Sequence, residues 1–166
     1  GGYPERGIGK LISNGQVKTL IASHVGLNPT VAKLMNAGAL ELILVPQGTL
    51  AEQIRAKGAG LGGVLTPTGL GTLVQEGKQV IEVDGKKYIL EKPMKADLAI
   101  VEATYADTFG NGVNIGTTRN FNPLMALAAD VVVMGTYEVR EPGKVDPSSV
   151  TIHGVLVDYL VEIVEA

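Results

Sequence analysis

The chain has no cysteine and only two histidines in 166 residues. Without cysteine there can be no disulfide, no thiolate metal ligand and no cysteine nucleophile, and the composition suits a reducing cytoplasm. Two histidines cannot by themselves fill a zinc site. Aromatic residues make up 4% of a chain that is 45% hydrophobic, so the core must be built from aliphatic side chains. No apolar run approaches the roughly 20 residues that span a bilayer, and no basic-then-apolar leader opens the chain. The expected location is therefore the cytoplasm, away from any membrane. Fourteen basic and 17 acidic residues are scattered without long runs, which leaves no electrostatic footprint for nucleic acid or an anionic lipid surface.

What is present is an alternation of strand-length apolar runs with segments of helical period, expected to form one domain over residues 1–166. "VKTLIASH" (17–24) reads as a buried strand. "NPTVAKLMNAG" follows, with Asn28 as cap, Pro29 in the first turn and Gly38 as the stop. "LELILVP" (40–46) is a second strand, and "GTLAEQIRAKGAG" a second helix with Thr49 as its expected cap and a glycine exit. "VIEVDGKKYIL" (80–90) places Asp84-Gly85 between two strand-like runs, a strong hairpin signal. "ADLAIVEA" and "ADVVVMGTYEV" are both introduced by Ala-Asp and flank the helical "NFNPLMALAAD". The expected fold class is α/β: a mostly parallel wound sheet flanked by helices, with an inserted antiparallel hairpin. The opening "GGYPERGIGKLI" reads as a polar turn.

The stretch "AGLGGVLTPTG" (59–69) is too glycine-rich for an element interior and too apolar for an ordinary surface loop. Gly62 and Gly63 would let the backbone approach a ligand closely, and Thr66 and Thr68 offer hydroxyls around Pro67. A tight crossover is the alternative explanation. The lysine-serine/threonine ending of a phosphate loop is missing, and no glycine-x-glycine pattern lies directly between strand and helix, so neither a nucleotide hydrolase nor a Rossmann dehydrogenase is indicated.

The series "VPQGTLAE", "GAGLGGVLTPTGLGT", "EKPMKAD", "FGN" and "RNFNPLMA" is far more specific than any one glycine pattern. Over nearly the whole chain, from "GIGKLI" to "VDYLVE", it closely resembles the alpha subunit of the 3-oxoacid (acetate or acetoacetate type) coenzyme A-transferases. The resemblance implies an enzyme completed by a beta subunit of similar fold in a hetero-oligomer, with the active site at the interface. It also implies an acyl-CoA and a short-chain carboxylate as substrates, and coenzyme A as a substrate with no permanently bound cofactor. Such alpha subunits normally begin with several dozen further residues, including a first strand and a "GGF"-type glycine turn, and no such turn occurs before Gly7. The expectation is thus the family domain without its N-terminal part. The family's nucleophile is a glutamate in a Ser-Glu-Asn-Gly motif of the beta subunit. This chain contains no such motif, so it should be inactive alone.

The expected substrate-binding residues are Gln47, Gly62, Gly63 and Thr66, with no catalytic residue and no metal ligand. Gln47 follows a strand at the end that opens toward the crevice of a wound sheet, where its neutral amide can donate to a carboxylate. Structural hydrogen bonding is the competing role. His24 fits a rim position and His153 a structural one. Arg119, Asn120 and Asn122 sit at the start of an expected helix, where capping and interface pairing compete with ligand contact. Glu41, Glu52 and Glu102 fit solvated faces or caps. The alternative reading of the whole is a sugar-phosphate-binding sensor or isomerase-like domain of related fold.

Overall fold

A computed structural model describes residues 2–164. The architecture is α/β, and the chain divides into two compact units: Gly1–Leu50 with Leu65–Leu90, and Ala51–Val64 with Glu91–Ala166.

The first unit opens with helix α1 (Ile8–Ser13), where the sequence suggested only a turn. Strand β1 (Thr19–Ala22), helix α2 (Pro29–Asn36) and strand β2 (Glu41–Leu44) follow. The expected α2 signals all operate. Asn28 Oδ1 accepts the Thr30 N–H at 3.1 Å, Pro29 occupies the first turn, and Gly38 leaves the helix at φ 68°. β1 and β2 pair in parallel from Thr19 opposite Glu41 to Ala22 opposite Leu44. Ile12, Val31 and Leu40 form the core beneath them, with Val17, Leu20, Val25, Leu34 and Leu42 packed around. Ile12 and Val31 are fully buried, so truncating Ile12 to alanine would cost about 2–5 kcal/mol.

Helix α3 (Gln47–Gly58) begins three residues earlier than expected. Thr49 is therefore not the cap. The Pro46 carbonyl starts the helical ladder by accepting the Leu50 N–H at 2.9 Å, and Thr49 is a buried residue of the first turn. At the other end Gly60, at φ 68°, terminates the helix while the Leu61 N–H returns to the Ala56 carbonyl at 2.8 Å.

The glycine-rich stretch is not wholly a connection, because it contains strand β3 (Val64–Thr66). β3 joins a sheet with β4 (Val80–Val83) and β5 (Lys86–Glu91), in the order β3-β5-β4. β4 and β5 are the expected antiparallel hairpin, with Asp84 at φ 50° and Gly85 at φ 72° turning the chain between them.

In the second unit, β6 (Ala96–Ala103) and β9 (Ala129–Thr136) run parallel, as their matching Ala-Asp starts suggest, and β11 (Tyr159–Glu162) pairs parallel on the far side of β9. Helix α4 (Asn122–Ala128) packs on β6. The core is Ala99, Val101, Ala103, Ala106, Ala126, Val132, Met134 and Ile152. The alanines are what permit close layers without aromatics. At the end of α3, a methyl on Gly58 would lie 2.5 Å from Leu127 Cβ, so this glycine serves helix packing and Gly60 serves termination.

A small sheet that the sequence did not reveal is built from two strands between β6 and α4 and one after β9. It comprises β7 (Tyr105–Asp107), β8 (Gly112–Val113) and β10 (Val139–Arg140), with β7 in the middle. Strands of two or three residues carry no readable period.

Candidate active site

β1 and β2 end side by side; Ser23 directly follows β1, and Gln47 lies three residues past the end of β2. The ladder extends one step further, the Val45 N–H donating to the Ala22 carbonyl at 3.0 Å. Pro46 then turns the chain into α3, and Gln47 is its first residue. The Ser23 hydroxyl donates to Gln47 Oε1. Ser23 is half-buried and Gln47 exposed. Sequence reasoning singled out Gln47 and passed over Ser23. The available signal was its position directly after the neighbouring strand.

In the other expected substrate-binding positions, Thr66 closes β3 and its Oγ1 accepts the Thr68 N–H at 3.1 Å, forming a tight turn over Pro67. The loop continues on its own hydrogen bonds. Thr72 Oγ1 donates to the Gly69 carbonyl at 2.7 Å and accepts the Val74 N–H at 3.2 Å, while Gln75 Oε1 accepts the Gly71 N–H at 2.8 Å. "TPTGLGT" is thus a self-supported loop. Gly62 is exposed, has no neighbour within 4 Å of where a Cβ would stand, and does not adopt a positive φ. Gly63 is half-buried and leads directly into β3.

Several motif residues prove structural. Asp107, 5% exposed, gathers the "FGN" turn: its Oδ1 accepts the Phe109 and Asn111 N–H groups at 3.0 and 2.9 Å, and its Oδ2 accepts Asn111 Nδ2 at 2.9 Å. Asn111 Oδ1 in turn accepts the Gly154 N–H at 3.0 Å. Lys95 of "EKPMKAD" pairs with Asp130 at 2.5 Å, and that contact raises the lysine above its ordinary pKa. Both side chains are half exposed, so the pair adds little stability. Gln53 Nε2 donates to the buried Glu91 carboxylate at 2.9 Å.

Of the three residues expected at a helix start, only Asn122 is in the helix. Its Oδ1 accepts the Glu102 N–H at 3.1 Å and its Nδ2 donates to the Thr118 carbonyl at 2.7 Å, so it is a structural clasp. Arg119 ends a preceding 3₁₀ turn (Gly116–Arg119), and Asn120 follows it. Arg119 borders an open polar groove with Tyr105, Asn114 and Ser149. His24 is exposed beside Ser23, and His153 precedes a 3₁₀ turn (Gly154–Leu156) without a side-chain capping bond. Glu41 accepts the Thr19 hydroxyl at 2.9 Å, and Glu52 pairs with Arg55 at 2.6 Å. Among the described residues no group of three His, Cys, Asp or Glu side chains could hold a metal ion, and no helix is long and apolar enough to cross a membrane.

Parallel strands flanked by helices, with an antiparallel hairpin, define an α/β chain. The chain belongs to the coenzyme A transferase family, whose pattern matches residues 1–163. It is 49% identical over 159 residues to the acetate CoA-transferase subunit alpha of Escherichia coli K12, an alignment covering 96% of this chain and 72% of that one. It is also 49% identical over 160 residues to the acetoacetyl-CoA:acetate/butyrate CoA transferase alpha subunit of Clostridium acetobutylicum, covering 96% and 73%. Among solved structures, the acyl-CoA transferase YdiF of Escherichia coli O157:H7 superposes with a TM-score of 0.85 at 26% identity. That match covers 96% of this chain, which spans about a third (35%) of YdiF.

Proposed function

We propose that this chain is the alpha subunit of an acyl-CoA:carboxylate CoA-transferase that moves coenzyme A between a short-chain acyl-CoA and acetate, acetoacetate or a similar acid. The observation that carries this is the near full-length match of the chain to relatives that are themselves alpha subunits of such enzymes. The sugar-phosphate reading has no observation in its favour. The partner is a beta subunit, and the working location is the cytoplasm.

The reaction is ping-pong exchange. A carboxylate of the partner attacks the acyl-CoA thioester carbonyl and expels the CoA thiolate, leaving an acyl-enzyme anhydride. The thiolate then attacks the enzyme-derived carbonyl of that anhydride, releasing the first acid and leaving an enzyme-CoA thioester. The second acid runs the same steps in reverse. Each tetrahedral intermediate places negative charge on an oxygen, where a single oriented donor is worth roughly 10²–10³ in rate. Water must be kept out, since it would hydrolyse anhydride and thioester alike.

In this reading the Gln47 amide donates to the acid's carboxylate. Gly62 and Gly63 let the backbone lie against the thioester, and the Thr66 hydroxyl is a further donor to substrate. Coenzyme A enters and leaves as a substrate, with no permanently bound cofactor. The test is to express the protein with and without a beta subunit carrying a Ser-Glu-Asn-Gly glutamate and to assay CoA exchange. Activity confined to the complex supports the assignment, and full activity of the isolated chain refutes it.

A further inference from the structure

A glutamine side chain can serve as donor or acceptor, because its carboxamide carries an oxygen at one corner and an NH₂ at the other, and rotation exchanges them. A site that must bind a carboxylate needs the NH₂ outward. An exposed glutamine on a flexible stem does not secure that orientation unaided. In this fold the oxygen is already engaged, since the Ser23 hydroxyl donates to Gln47 Oε1. Both ends of this contact are set by the backbone. Ser23 stands one residue beyond the parallel ladder that ends at Ala22 opposite Leu44, and Gln47 is held at the first position of α3 by Pro46 and the Leu50 N–H to Pro46 carbonyl bond of 2.9 Å.

We infer that Ser23 is a positioning residue that fixes the Gln47 carboxamide with its N–H groups toward the acid substrate, making the site selective for carboxylates over neutral amides. The inference rests on the assignment of Gln47 as a substrate contact. A carboxylate offers only acceptors and meets two donors. The corresponding amide presents its own N–H groups as well, and the Gln47 oxygen that could receive them is turned toward Ser23. Ser23 touches no reacting atom. Its removal should act through the freedom of Gln47, weakening acid binding and admitting amide analogues, without touching the partner's nucleophile.

The experiment uses the assembled enzyme with Ser23→Ala, Ser23→Thr, Gln47→Ala and the double variant Ser23→Ala/Gln47→Ala. Melting temperature is recorded for each to confirm folding. The readouts are KM and kcat for acetate, KM for the acyl-CoA, and inhibition by acetamide. Ser23→Ala is expected to raise the acetate KM roughly 3- to 10-fold, the scale of one hydrogen bond, with the acyl-CoA KM little changed and acetamide inhibiting more strongly. Ser23→Thr keeps the hydroxyl and should restore the acetate KM. In the Gln47→Ala background, Ser23→Ala should add nothing. If Gln47→Ala impairs acetate use and Ser23→Ala does not, or if the Ser23→Ala effect persists undiminished without Gln47, the positioning role is overturned while the Gln47 assignment stands. If Gln47→Ala leaves the acetate kinetics unchanged, both fall.

Discussion

Asn122, at the start of α4, accepts the N–H of Glu102 in β6 at 3.1 Å, while Asn114 donates its Nδ2 to the carbonyl of the same Glu102 at 2.7 Å. Two carboxamides thus close a backbone position on the side of β6 away from β9. Asn114 also donates to the Thr118 carbonyl at 3.1 Å, so β6, α4 and the intervening 3₁₀ turn are held by shared bonds. Part of the "RNFNPLMA" signature is explained by this clasp without any ligand. Asn122→Ala would strand the Glu102 N–H and leave the Thr118 carbonyl with the Asn114 bond alone, and a loss of about 1–3 kcal/mol is expected in urea unfolding. Activity per folded molecule should be retained. A large fall in acid or acyl-CoA affinity at unchanged stability would return Asn122 to the binding site.

The glycines of the 58–71 stretch should separate into two groups. Gly69 lies at φ 94°, and a methyl there would come within 2.6 Å of Val74, so Gly69→Ala should destabilise by roughly 1 kcal/mol or more. Gly62 has open space around it and no positive φ, so Gly62→Ala should leave the melting temperature essentially unchanged. If the loop lies against the acyl-CoA, Gly62→Ala should instead slow enzyme-CoA thioester formation. A normal thioester rate in a folded Gly62→Ala complex would remove Gly62 from the site.

Gln47→Ala should impair use of the acid substrate with the fold intact, because Gln47 is exposed and its hydrogen bond to Ser23 is a surface contact. The expected loss in kcat/KM for the acid corresponds to roughly 1–3 kcal/mol. Steady-state kinetics with a series of acids measures it.

The Asp146 carboxylate accepts the Ser148 N–H and the Ser149 hydroxyl, each at 3.0 Å, and these bonds hold it below the ordinary aspartate pKa. Its folded pKa is depressed, so its contribution is present above the unfolded value of about 4 and is lost as pH falls through the folded value. Replacing Asp146 by asparagine, which still caps the turn, should therefore make the acid limb of the stability profile shallower. Thermal unfolding between pH 7 and the acid transition measures this, and an unchanged acid limb would contradict it.

How much of this was legible in the sequence depended on whether the signal was local. α2 was readable because Asn28, Pro29 and Gly38 each act on the backbone next to them, and the hairpin because Asp84-Gly85 must turn the chain. β6, α4 and β9 were long enough to show apolar period. α1 was not, since six residues after a polar turn carry too little pattern, and β3 was hidden by the glycines around it. Thr49 looked like a cap by residue type, but a helix begins where the carbonyl ladder begins, and Pro46 supplied that earlier. At the site, Gln47 could be placed from its position after a strand. Its bond to Ser23 could not, because the contact joins residues 24 apart and depends on the parallel register of β1 and β2.

In the proposed division of labour this chain binds and orients substrate, and the partner subunit carries the carboxylate that becomes covalently loaded. The most direct test is intact mass spectrometry of the assembled enzyme after incubation with acyl-CoA and no acid. The expected result is the mass of a CoA thioester on the partner subunit and an unmodified mass for this chain. A CoA adduct on this chain would contradict it.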